Sequence, residues 1–211
     1  LGSRLENSEI KPKPLVDING LSLISRIILS FYQTKLFKKF HILTCLNSDL
    51  FKEILKIEIP DIDYKIYTEE KRTGRLGALK FFLNSQSYID RFFVCNADTI
   101  FLNLIQSEIE RSVDRFKKKP IVFLAEQDTS RNDYKKITLS IGNKFRNYQN
   151  SGLVYLSREW FNLSVLKNKK FMDIDEHLFH KDNLIEMSLL STSLIDAGTP
   201  KRLKSLRDIY K

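Results

Sequence analysis

The chain has 211 residues, 42% hydrophobic and 11% aromatic, which is enough for a packed core and too apolar for a disordered segment. Its net charge of +9, from 35 basic and 26 acidic residues, suits an anionic partner, unless it simply reflects a lysine-, isoleucine- and asparagine-rich composition. The basic runs (38–39, 117–119, 167–170) are scattered rather than striped with aromatics, which argues against nucleic acid, and no apolar stretch nears the roughly 20 residues that span a bilayer.

Cys45 and Cys95 each lie in an apolar run and read as reduced core thiols of a cytoplasmic protein. The sequence opens at Leu1-Gly2 inside what reads as a loop, so a strand and the start of that loop are expected upstream. Gly2, Ser3 and Arg4 form a small turn in which glycine lets backbone N–H groups approach an anion. Arg4 adds a permanently charged, planar fork suited to phosphate. Lys13 stands between Pro12 and Pro14, which hold it on a stiff, extended segment. Together these residues suit a polyphosphate; the plainer alternative is a basic surface loop.

Val16 to Ile18 is a short extended piece closed by the turn signal Asn19-Gly20. Leu23, Ile24, Ile27, Ile28 and Phe31 then recur with the spacing of an amphipathic helix. FHILTCL reads as a buried strand, Asp49 to Ile57 as a short helix, and Asp63 to Thr68 as an alternating strand. A charged loop bearing Gly74 and Gly77 runs into a helix, followed by a strand over Asp90 to Cys95 and a loop at Asn96-Ala97-Asp98. The spacing predicts a helix from Asn103 to Lys117 and a buried strand after Pro120. Antiparallel strands are expected at Lys136 to Ile141 and Gly152 to Leu156, with a polar joint between them. Helices follow at Arg158 to Leu166 and Asp173 to Lys181, then one late strand in SLLSTSLIDAG and a final helix opened by Pro200. The alternation predicts an α/β fold with a mostly parallel central sheet and a small strand-rich sub-region, spanning 1–211 as a single domain.

In such sheets ligands bind beyond the carboxyl ends of strands. Asp98 follows an apolar strand, and Asp196 follows another in LIDAGTP. Two such carboxylates could share a hard cation such as Mg²⁺ and bring it to a nucleotide phosphate. Gly77 would let a flat group such as a nucleobase close to the backbone. His177 and His180, beside Asp173, Asp175 and Glu176, complete no zinc signature and read as an amphipathic helix. Trp160 reads as core, while Arg72 and Arg75 could clamp a nucleotide or be solvated.

The order GSRL…KPKPLV, GRLGALK, FVCNADTIF, NSGLVYLS and IDAGTPKRL resembles the nucleotidyltransferases that join a sugar 1-phosphate to a nucleoside triphosphate. The resemblance runs from residue 1 to about Leu206. It implies a GT-A-like, Rossmann-type three-layer sandwich, Mg²⁺ dependence and release of pyrophosphate. Gly2, Ser3 and Arg4 match the triphosphate loop, Lys13 the phosphate-contacting lysine, and Gly77 the base-and-ribose position. Asp98 and Asp196 match the metal-binding aspartates, Asn150 and Gly152 line the sugar pocket, and Lys144 stands for a sugar-phosphate lysine. Ala97 replaces the usual glycine, and Arg72, Thr73, Gly74 and Arg75 replace the usual base-selecting loop.

On this reading the sugar phosphate oxygen, already anionic, attacks the α-phosphorus without a strong base, and catalysis rests on positioning and charge. The compact length resembles the small members of the family, heptose 1-phosphate guanylyltransferases first and uridylyl- or cytidylyltransferases acting on other phosphorylated sugars or alcohols next. The products expected of the family feed cell-surface polysaccharide or lipopolysaccharide assembly, consistent with a cytoplasmic enzyme. The expected partners are a triphosphate and a sugar 1-phosphate, with no nucleic acid or membrane; a homo-oligomer is compatible. The alternatives are a GT-A glycosyltransferase, which would want Asp-x-Asp where this chain has Asn96-Ala97-Asp98, and a non-catalytic binder of nucleotide sugars.

Overall fold

The computed structural model describes residues 12–45, 48–116, 119–126, 136–141, 144–164, 173–179 and 184–211. In chain order the elements begin with β1 (Asp17–Ile18), β2 (Leu21–Ser22), α1 (Leu23–Tyr32), β3 (Lys39–Thr44), α2 (Ser48–Glu58) and β4 (Asp63–Thr68). Next come α3 (Gly74–Ser85), β5 (Arg91–Cys95), β6 (Thr99–Leu102), α4 (Gln106–Arg115), β7 (Ile121–Glu126) and β8 (Lys136–Ile141). The chain closes with β9 (Lys144–Ser157), α5 (Arg158–Ser164), α6 (Ile174–Leu178), β10 (Glu186–Leu190), β11 (Ser193–Asp196) and α7 (Pro200–Ile209). They fall into two compact units.

The first unit holds β1 to β4, β6, β11, α1, α2 and α7. Asn19 and Gly20 both take positive φ, 50° and 89°, the geometry that joins β1 and β2 into a small hairpin. Ser22 caps α1 by accepting from the Ser25 N–H. The apolar stripe of α1 is buried as its spacing predicts. Ile24 and Ile28 meet Leu15, Ile42, Phe51 and Leu55 in one cluster, each burial contributing about 1.5–3 kcal/mol. Phe31 stacks at 5.1 Å on Phe101 of β6. β3 and β4 pair in parallel with α2 between them in sequence, a βαβ arrangement.

The second unit holds α3 to α6, β5 and β7 to β10. Its sheet runs in the order β10-β7-β9-β5, with β8 also on β9. β7 is buried along nearly its whole length, as expected for a strand covered on both faces. The mostly parallel sheet expected from the alternation is realised at β3–β4 and β7–β10. β9 instead runs antiparallel to β5, β7 and β8. For β8 and β9 the reason is local: two residues separate them, too few for a parallel crossover.

β9 also absorbs most of the expected polar joint, because its polar residues satisfy their backbone on neighbouring strands rather than in water. Its register on β7 shifts between Val122 and Leu124, whose partners are Val154 and Asn150. The bulge sits on β9, where Gly152 takes φ 78° and the Ser151 hydroxyl donates to the Phe123 carbonyl at 2.6 Å. A bulge re-aims the side chains beside it, and here those belong to Asn150.

Two further differences concern short strands. β6 occupies residues expected to lie between a loop and a helix, and the late strand is two strands, β10 and β11.

Candidate functional site

In the first unit the sequence around Lys13 folds as a three-residue 3-10 turn, Lys13–Leu15. Pro12 and Pro14 fix φ on either side, the Leu15 N–H donates to the Pro12 carbonyl at 2.8 Å, and Leu15 itself is buried. The lysine thus leaves a rigid, anchored backbone. Its Nζ donates to Asp98 Oδ2 at 2.9 Å, with side-chain exposures of 13% for Lys13 and 39% for Asp98. Asp98 closes the turn before β6, and the Thr99 hydroxyl lies 3.3 Å from its other oxygen.

Asp196 ends β11. The next residue, Ala197, donates its N–H to the Asp98 carbonyl oxygen at 2.9 Å, so the two aspartate loops are joined through the backbone. The structure therefore brings Lys13, Asp98 and the Asp196 loop together. The Asp196 carboxylate is buried and receives the Gly198 N–H together with Arg202 Nη1, which is 3.2 Å from Oδ2. A Cβ on Gly198 would stand 2.6 Å from Asp196 Oδ1, so this turn accepts only glycine without a shift. Arg202, on the first turn of α7, escaped the sequence reading; a basic residue two positions after the Asp-Ala-Gly-Thr-Pro run was the available signal.

Mg²⁺ can be tested against these donors. Asp98 fits: it is a hard oxygen donor, more than a third exposed, on a fixed turn. Asp196 is engaged by Arg202 and by backbone, so the two aspartates do not present equivalent free oxygens. Among the described residues no group of three or more His, Cys, Asp or Glu is arranged to hold a metal. His177 lies edge-on to Trp160 at 5.7 Å, and His180 falls outside the described residues. Gly2, Ser3 and Arg4 also fall outside them.

In the second unit Gly77 lies inside α3. A Cβ there would fall 2.3 Å from the Thr73 hydroxyl, so the close approach this glycine permits is made by Thr73. Asn150 and Gly152 are adjacent at the β9 bulge, where the Gly152 N–H donates to Asn150 Oδ1 at 2.9 Å. Lys144 does not join them. It opens β9 six residues earlier, about 20 Å away along an extended strand.

A second cluster surrounds Asn150. Its Nδ2 donates to Asp175 Oδ1 at 3.1 Å, while Arg75 Nη2 reaches Asp175 Oδ2 and Asp173 Oδ1, both at 2.6 Å. Asp173 also caps α6 by accepting from the Asp175 N–H at 2.8 Å. Burial opposes the charge on Arg75 most, but the nearby Asp175 and Asp173 outweigh it and raise its pKa further. Burial likewise opposes ionisation of Asp173, yet Arg75 and the N–H groups of Asp175 and Glu176 hold its carboxyl below the ordinary value.

This is the fold of the sugar-phosphate nucleotidyltransferases of known structure. HddC from Yersinia pseudotuberculosis superposes with a TM-score of 0.76 at 18% identity, over 100% of this chain and 96% of that one. The inositol-1-phosphate CTP transferase from T. maritima gives 0.76 at 13% identity, over 98% of this chain and 91% of that one. A nucleoside-diphosphate-sugar pyrophosphorylase from Vibrio cholerae RC9 gives 0.70 at 14% identity, over 99% and 96%. No family model and no curated protein matches the sequence.

Proposed function

We propose that this chain is a nucleotidyltransferase that joins a nucleoside triphosphate to a sugar 1-phosphate, giving a nucleoside-diphosphate sugar and pyrophosphate. The observation that carries the reading is the union of Lys13, Asp98 and the Asp196 loop within one unit of a fold shared with such enzymes. Attack by a sugar phosphate oxygen forms a bond to the α-phosphorus and breaks its bond to the β-phosphate bridge. The nucleophile is already anionic, so the protein needs to position it and to neutralise charge rather than remove a proton.

Lys13 supplies a fixed ammonium for the departing pyrophosphate, and Arg4 is assigned the same task. Asp98 would hold Mg²⁺, with Asp196 beside it once Arg202 yields a carboxylate oxygen. The ion, when bound, contributes Lewis-acid stabilisation of phosphoryl charge. Gly2 and Ser3 belong to the triphosphate loop on this reading, Gly77 and Thr73 to the base side, and Asn150 and Gly152 to the sugar side. Lys144, six residues before Asn150 on β9, is kept on this reading as the sugar-phosphate lysine. No described helix is long and apolar enough to cross a membrane. One HddC structure carries GMP-PN, so GTP with a heptose 1-phosphate is the first pair to try.

The test is a panel of four triphosphates against several sugar 1-phosphates with Mg²⁺, read by pyrophosphate release. Turnover with one pair well above the others is expected. Tight binding of a nucleotide sugar without turnover of any pair would instead indicate a non-catalytic binder.

A further inference from the structure

We infer that Arg75 is a positioning residue which, through Asp175, sets Asn150 to read the uncharged hydroxyl end of the sugar, and that the net anionic cluster excludes sugars carrying a second acid there. The inference rests on the nucleotidyltransferase reading, and it begins from bonds that the opening motifs did not suggest. Asn150 has both ends of its amide committed, Oδ1 to the Gly152 N–H and Nδ2 to Asp175 Oδ1. Its orientation therefore follows that of Asp175. Asp175 is in turn held by Arg75 Nη2 at 2.6 Å, a bond from the first turn of α3 to a residue 100 positions later. The same nitrogen takes Asp173 at 2.6 Å, and Asp173 fixes the N-terminus of α6 from which Asp175 projects.

One guanidinium thus locks both carboxylates and, through one of them, the amide at the bulge. The charges of these three described side chains sum to −1. Each carboxylate is about a third exposed (36% for Asp173, 35% for Asp175), so lone pairs stay available on the solvent side. Fixed acceptors of this kind take O–H donors and repel carboxylate or phosphate. The class of substrate that follows is a neutral polyhydroxylated sugar, charged only at its 1-phosphate.

The experiment compares wild type, Arg75→Met, Arg75→Lys and Asp175→Asn in pyrophosphate-release kinetics, with folding of each variant followed by circular dichroism. Arg75→Met should raise KM for the sugar 1-phosphate about ten- to a hundredfold while KM for the triphosphate stays within about twofold. Arg75→Lys should recover most of that loss, because a single donor nitrogen makes both bonds in the structure. Asp175→Asn should raise sugar KM similarly and improve the relative use of a uronic acid 1-phosphate, which also covers the case in which Arg75→Met does not fold. An unchanged sugar KM in the folded variants, or equal rises in both KM values, overturns the inference alone. Absence of pyrophosphate release by wild type with every pair overturns the underlying reading and this inference with it.

Discussion

Two acidic clusters of this protein are balanced in different ways. In the first unit each aspartate has its own cation, Lys13 on Asp98 and Arg202 on Asp196. In the second unit a single guanidinium serves both Asp173 and Asp175. Among the described residues the first cluster therefore pairs its cations and carboxylates one to one, and on the proposed reading those cations would turn toward phosphate if a metal ion took their place on the carboxylates. In the second, Arg75 leaves one of the two carboxylate charges unbalanced, and on the proposed reading these fixed acceptors suit hydroxyl groups. The same residue types reach opposite preferences through stoichiometry and exposure.

The largest expected effect breaks the first cluster. Asp98→Asn keeps the shape of the side chain and removes the charge that pairs with Lys13 and would hold the ion. Turnover should fall about 10²- to 10³-fold, and Arg4→Ala should cost a similar factor. Wild-type kcat in either purified variant would remove that residue from the mechanism.

Next comes the Arg202–Asp196 pair, where the carboxylate side chain is 9% exposed and the guanidinium 22%. Arg202→Met removes the guanidinium that faces this buried carboxylate, at a cost of about 3 kcal/mol. Urea unfolding should show this, and adding Asp196→Asn to the same chain should recover more than half of it. If the double variant is no more stable than the single one, Arg202 contributes packing rather than charge balance.

Gly77→Ala sharpens the description of α3. In a helix this change ordinarily stabilises by roughly 1 kcal/mol. Here the added methyl would fall 2.3 Å from the Thr73 hydroxyl and 2.4 Å from its Cβ, and threonine is stiff. A net loss of about 1–2 kcal/mol is expected, partly relieved by Thr73→Gly in the same chain. A rise in Tm for Gly77→Ala alone would show that the turn yields easily.

How much of this was legible beforehand depended on how far each signal reaches along the chain. The stripe of α1, the alternation of β4 and the Pro200 start of α7 are local patterns, and the structure reproduces them. β6 is four residues long and lies beside a turn, so its pairing with β11 left no periodic trace. The break between β10 and β11 falls at Ser191-Thr192, without the glycine or proline that marks most turns. Asp98 and Asp196 could be singled out because each follows an apolar run. Arg75 could only be left undecided between clamp and solvent, since its partners lie 98 and 100 residues further on. Nothing local connects them.

The smallest effect concerns acid and bears directly on the uneven balance of the second cluster. Burial works against the charge of Asp173, but Arg75 and two backbone N–H groups outweigh it, so its folded pKa lies below the ordinary carboxylate value of about 3.9. A depressed pKa means that the folded state binds fewer protons, so this stabilisation is complete above about pH 5 and is lost as pH falls through the folded value. Arg75→Met removes its main source. The stability gap between wild type and Arg75→Met should therefore be widest near neutral pH and narrow on acidification from about pH 5 to 3. The groups are partly exposed, so salt should shrink the gap as well. Urea midpoints at several pH values read this directly. A gap that stays constant through the acid range would mean that Arg75 holds α3 and α6 by packing alone, and the contrast between the two clusters would then lose its electrostatic basis.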